Sequence, residues 1–112
     1  MGISTHILDV SRGRPAPGVA VALERRDGDR WIAVGSGVTD DDGRIRALAP
    51  AEPPAPAGEY RARFEVGPYF RGLGVEAFYP RIEVAFSVVR AGEQVHVPLL
   101  LGPFGYTTYR GS

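Results

Sequence analysis

Two histidines, His6 and His96, and one arginine set just after a tight turn, Arg44, are the side chains of this sequence best suited to polar catalysis. Imidazole exchanges protons near neutral pH, so two converging rings can pass a proton between water and a leaving group. A guanidinium fixed at a strand start offers charge and planar donors to a developing oxyanion. On residue type alone the structural readings are the commoner ones: a hydrogen-bonded histidine in a strand, and one more solvated arginine among thirteen. Alternation places His6 on one strand face with Ser4 and Leu8, and His96 on another with Gln94 and Pro98. If the strands near the two chain ends are neighbours, the imidazoles converge.

Other chemistries are poorly supported. The absence of cysteine removes disulfides, thiolate nucleophiles and the usual zinc sites, and two histidines alone make a weak metal set. Asp40-Asp41-Asp42-Gly43 is not a calcium loop, because that motif needs alternating ligands and a closing glutamate where Ala49 stands. A hairpin turn on Asp-Gly is the expected reading. Gly35-Ser36-Gly37 and Gly72-Leu73-Gly74 lack the third glycine of a dinucleotide loop, and no serine sits in a nucleophile elbow. Thirteen basic side chains, all arginine, balance thirteen acidic ones and are scattered, which argues against nucleic acid. No apolar run reaches membrane-spanning length, and the start of the chain does not read as a signal peptide. A cytoplasmic, bacterial setting is expected.

The elements that must position these groups are strands. Val19, Val21 and Leu23 alternate with smaller or polar neighbours. So do Tyr60, Ala62, Phe64 and Val66, and then Ile82, Val84, Phe86 and Val88. Turns are expected at Arg12 to Gly18, Asp27-Gly28-Asp29 and Asp41-Asp42-Gly43, with an irregular loop from Pro50 to Gly58. The length of 112 residues and the turn spacing predict one all-β sandwich domain over 1–112. One short helix is predicted over Pro68 to Glu76, where Tyr69, Phe70, Leu73 and Ala77 have helical spacing, weakened by Gly72 and Gly74. Val95 to Leu101 is apolar on both faces, and Phe104, Tyr106 and Tyr109 follow closely. Two-sided burial in so short a chain predicts a subunit interface.

Four blocks taken together are similar to the 5-hydroxyisourate hydrolases, the transthyretin-related proteins. They are Ser4-Thr5-His6-Ile7-Leu8-Asp9, Asp42-Gly43-Arg44-Ile45, His96-Val97-Pro98-Leu99-Leu100-Leu101, and Tyr106-Thr107-Thr108-Tyr109-Arg110-Gly111-Ser112. Gly13 to Ala16, Gly58 to Arg61 and Phe78 to Pro80 also fall where that pattern expects them, so the resemblance spans nearly the whole chain. It implies a transthyretin-like (prealbumin-like) sandwich of two four-stranded sheets with one short helix. It implies a homotetramer, a dimer of dimers with active sites in the clefts between dimers. The implied reaction is hydrolysis of 5-hydroxyisourate in urate breakdown, with no metal or organic cofactor. His6, Arg44, His96 and Ser112 are the implied catalytic residues, Ser112 acting through its hydroxyl or a terminal carboxylate. Tyr109, Arg110 and Gly111 are expected with His6 and Arg44 in substrate binding. Gln94, Val95 and Gly102 depart from the pattern, which often has His, Tyr and Ser there, and are expected beside the site. The competing reading is a non-enzymatic carrier like transthyretin, since one fold serves both.

Overall fold

The computed structural model describes residues 2–112. Ten elements follow in order: β1 (Ile3–Asp9), β2 (Arg14–Pro15), β3 (Ala20–Asp27), β4 (Arg30–Val38), β5 (Arg44–Ala49), β6 (Gly58–Phe64), α1 (Val66–Gly72), β7 (Ile82–Val88), β8 (Val95–Leu101) and β9 (Tyr106–Thr108). They form two packed sheets. One is antiparallel, β4-β3-β6-β7. The other runs β5-β1-β8-β9, and the two-residue β2 extends the edge that β5 occupies on β1. In it β1 and β8 are parallel, so segments from opposite ends of the sequence lie side by side.

Alternation decides which side chains enter the core. Ile3, Thr5, Ile7 and Asp9 of β1 point inward, as do Val95, Val97, Leu99 and Leu101 of β8, against Val21, Leu23, Tyr60, Ala62 and Phe64 of the facing sheet. Each fully buried large side chain contributes about 1.5–3 kcal/mol. The two polar residues that β1 turns inward are satisfied. Thr5 Oγ1 donates to the Val97 carbonyl at 2.6 Å, tying β1 to β8 on the inner face. Asp9, fully buried, accepts from Ser11 N and Oγ, Arg12 N and the Tyr69 hydroxyl, the last at 2.7 Å. Burial and the Asp9 carboxylate hold the Tyr69 phenol above its ordinary pKa, so it stays the donor that docks α1 on the sandwich.

Three sequence expectations are corrected. The strand alternation ends at Phe64, and Val66 begins the helix. The helix covers Val66–Gly72, earlier than the predicted Pro68 to Glu76. Its end is set by backbone geometry: Val75 N donates to Phe70 O and Gly74 N to Arg71 O, with Gly74 at φ 70°. That closing motif requires a left-handed residue, which glycine supplies. The Asp-Gly turn at 41–43 is no hairpin, because β4 and β5 belong to different sheets. It is a corner: Asp40 Oδ1 accepts from Asp42 N and Arg44 N, and Gly43 N donates to Asp40 O. Gly43, at φ 75°, lies so close to β1 that a Cβ there would sit 2.4 Å from the Ile7 carbonyl oxygen. Among the described residues, no helix is long and apolar enough to cross a membrane.

Candidate active site

The outward face of β1 and β8 gathers the polar groups. Because the strands are in parallel register, Ser4 lies beside His96 and His6 beside Pro98. On the other flank of β1, His6 is the cross-strand partner of Arg44. Residues from three distant segments therefore meet on one surface, which is what the sequence expectation required.

A cleft of about 500 Å³ opens on this surface, with Ser4, Arg44, Arg46, Gln94, His96 and Ser112 among the residues that line it. His6 sits next to the cleft lining rather than in it. Its Nε2 donates to the Asp42 carbonyl at 2.9 Å. A carbonyl can only accept, so His6 Nε2 carries a proton. The corner that carries Arg44 thus also anchors His6.

His96 is half-buried, with Nδ1 2.8 Å from the Ser4 hydroxyl. Burial, with the Arg44 and His6 charges, lowers its pKa below the ordinary imidazole value. The ring is neutral at neutral pH and able to accept a proton. Among the described residues, no ion pair involves Arg44 or Arg46. The Arg44 backbone N–H does most to lower the Asp40 carboxyl pKa, and both guanidinium groups lower it further through space, but neither is held in an ion pair.

The C-terminal segment reaches the site by an interrupted ladder. β9 pairs with β8 as Leu99 with Thr108, and the single bridge of His96 with Gly111 keeps the same register. Gly111 N donates to the His96 carbonyl at 2.9 Å. Between these points Pro98 has no N–H to give, and its carbonyl takes the Thr108 hydroxyl at 2.7 Å. Gly111 lies against the histidine itself: a Cβ there would be 2.5 Å from His96 Cδ2. Ser112 then enters the cleft. Tyr109, 56% exposed, lies elsewhere, along a second and more apolar cleft of about 320 Å³ with Val84, Phe86 and Thr108. Arg110 borders this second cleft and pairs with Glu93 at 3.4 Å. His96 separates the two clefts, lining both.

Sequence reasoning missed Arg46 altogether, although its position two residues after Arg44 puts both on one face of β5. It also set Gln94 beside the site, whereas Gln94 lines the cleft with His96. Val95 is buried in the core and Gly102 closes a turn through Gly105 O, so neither lines the cleft.

Comparison with known proteins places the sequence and the fold. The 5-hydroxyisourate hydrolase of Salmonella typhimurium is 48% identical over 110 residues, covering 98% of this chain and 80% of that protein. The 5-hydroxyisourate hydrolase of Caulobacter vibrioides is 40% identical over 115 residues, covering 99% of this chain and 98% of that one. Among solved structures, Klebsiella pneumoniae 5-hydroxyisourate hydrolase superimposes with TM-score 0.86 at 39% identity, covering 100% of both chains. Sea bream transthyretin in complex with thyroxine superimposes with TM-score 0.91 at 33% identity, covering 99% of this chain and 95% of that one. A family model described as the HIUase/Transthyretin family matches residues 3–111, and the chain belongs to that family.

Proposed function

We propose that this protein is a 5-hydroxyisourate hydrolase of urate (purine) breakdown. Water adds to the amide-like carbonyl, the ring C–N bond breaks, and 2-oxo-4-hydroxy-4-carboxy-5-ureidoimidazoline is released. The observation that carries the reading is the meeting of His96, Arg44 and Ser112 on one cleft, with neutral His96 facing unpaired cations. His96 takes a proton from the attacking water and returns it to the leaving nitrogen. Arg44 stabilises the tetrahedral oxyanion, a role worth about 3 kcal/mol for single donors. His6, anchored through Nε2, leaves Nδ1 to orient water or substrate beside Arg44. Ser112 contributes polar contacts at the cleft wall, Gly111 backs His96, and Tyr109 and Arg110 line the adjoining cleft on the other side of that ring, where they meet the far end of the substrate. No metal or organic cofactor is required by these steps.

The working form is a homotetramer, a dimer of dimers, in the bacterial cytoplasm. Support comes from apolar surface beside the site. Leu8 and Leu100 lie on the outward face of the β1–β8 pair, and Val10, Phe78 and Phe104 are 59%, 70% and 65% exposed. Analytical ultracentrifugation at micromolar concentration is expected to give the tetramer mass, and a monomer would overturn this part.

Fold likeness cannot separate the enzyme from a carrier, because the thyroxine-bound transthyretin superimposes at least as well as the hydrolase. Higher identity to the hydrolases and the polar cleft favour the enzyme. The deciding experiment adds purified protein to freshly generated 5-hydroxyisourate and follows the ultraviolet decay. Decay faster than the spontaneous rate is expected. A spontaneous rate together with saturable binding of an aromatic ligand would establish the carrier instead.

A further inference from the structure

The proposed reaction needs His96 in one orientation and one tautomer, and two neighbours are placed to set both. Ser4 Oγ lies 2.8 Å from Nδ1, across a register that fixes Ser4 beside His96. Thr5 Oγ1 on the Val97 carbonyl holds that register from the inner face. On the opposite side, the Gly111 backbone packs on the ring, since a Cβ there would come within 2.5 Å of Cδ2 and 3.3 Å of Cγ. With Nδ1 and the Cδ2 edge engaged, only the Cε1–Nε2 edge remains to meet the cleft.

We propose that Ser4 is a positioning residue for His96: its hydroxyl accepts the Nδ1 proton, so that the Nε2 lone pair of the clamped ring faces substrate. The charged groups on this wall support that direction. Arg44 and Arg46 of β5 are donor-only and His6 of β1 adds a further imidazole; of the acceptors, Glu93 is engaged by Arg110, Asp40 by the Asp42 and Arg44 backbone N–H groups, and Ser112 lines the same cleft. An N–H at Nε2 would set donor against donor, whereas a lone pair complements the guanidinium groups. The three consecutive side chains Ser4, Thr5 and His6 then have separate tasks: holding His96, locking the strand pair, and standing beside Arg44.

This proposal rests on the hydrolase reading for its kinetic consequence but not for its spectroscopic one. Long-range ¹⁵N–¹H correlation spectra of the imidazoles read the tautomers in the protein without substrate. With two histidines in the chain, a His6→Gln protein identifies which signals belong to His96. His96 is expected to carry its proton on Nδ1 in the wild-type protein and to populate both tautomers in Ser4→Ala. In the ultraviolet assay, Ser4→Ala is expected to lower kcat about 10- to 100-fold with KM nearly unchanged. Ser4→Thr, which keeps the hydroxyl, is expected to restore most of kcat and the wild-type tautomer. A wild-type proton on Nε2 would overturn the proposal, as would a Ser4→Ala protein with unchanged tautomer and kcat. A rise in KM alone would make Ser4 a substrate contact and overturn it equally. A tautomer shift in Ser4→Ala, found together with a wild-type protein that does not turn over 5-hydroxyisourate, would uphold the positioning role while refuting the substrate.

Discussion

The two outward faces of the sandwich carry similar residue types and treat them in opposite ways. On the β4-β3-β6-β7 face, Glu24 accepts two hydrogen bonds from Arg61, at 3.0 and 2.7 Å, and lies 3.6 Å from Arg63 Nε. The Arg61 guanidinium stacks 4.3 Å from the centre of the Trp31 ring, and Arg26 reaches both Trp31 and Glu59. Charge there is answered by charge or by an aromatic face, and the result is a cross-strand ladder that stabilises the sheet. On the β5-β1-β8-β9 face, Arg44 and Arg46 have no ion pair among the described residues, and two imidazoles stand close by. Cations that no ion pair ties down, with Asp40 acting on them only through space, are available to a ligand. Residue type does not separate a working arginine from a structural one. Its partners do.

Breaking each face should therefore have a different consequence. The largest effect is expected from His96→Ala, about 10²- to 10⁴-fold in kcat, with the urea midpoint almost unmoved. Next comes Arg44→Ala, about 10²- to 10³-fold in kcat, again with little change in stability. The opposite pattern is expected for Glu24→Ala. Loss of the partner shared by Arg61 and Arg63 should lower unfolding free energy by about 1–2 kcal/mol in urea titration while kcat/KM stays at the wild-type value. Arg46→Gln is expected to raise KM only a few-fold and to weaken the dependence of kcat/KM on salt, because an exposed cation mainly attracts an anionic ligand over a screened distance. The smallest effect is electrostatic. The Arg44 charge disfavours protonated His96, so its removal in Arg44→Gln should move the His96 titration upward, toward the ordinary imidazole value, without reaching it because burial remains. An NMR titration of the ring protons measures this. A downward shift would contradict the sign of the coupling.

Strand alternation made β3, β6 and β7 legible, and with them the sandwich. β4 was not, for a physical reason. Its Gly35 lies where a Cβ would be 2.1 Å from the Leu48 carbonyl oxygen, so close approach of β5 removes a side chain from the pattern that alternation reads. The helix was found but displaced, since its end is a backbone motif around Gly74 and not a change in apolar spacing. At the site, His6, Arg44, His96 and Ser112 were identified by resemblance, and residue type alone would have favoured bland roles for them. The hydrogen bond of Ser4 with His96 spans 92 positions, and only the parallel pairing of β1 with β8 creates it. No local pattern announces such a contact. Gln94 was legible as sharing a face with His96, and that geometric reading was the better guide to its place in the cleft.

The proline in β8 bears on the protein's solubility. Pro98 is buried within a strand that has neighbours on both sides, where proline is rare, and its missing N–H falls on the side toward β9. The outermost strand consequently runs for only three residues before the ladder opens at Tyr109 and Arg110. A passing chain that sought to extend the sheet would find a template too short to hold it, so this sheet margin is poor ground for fibril growth.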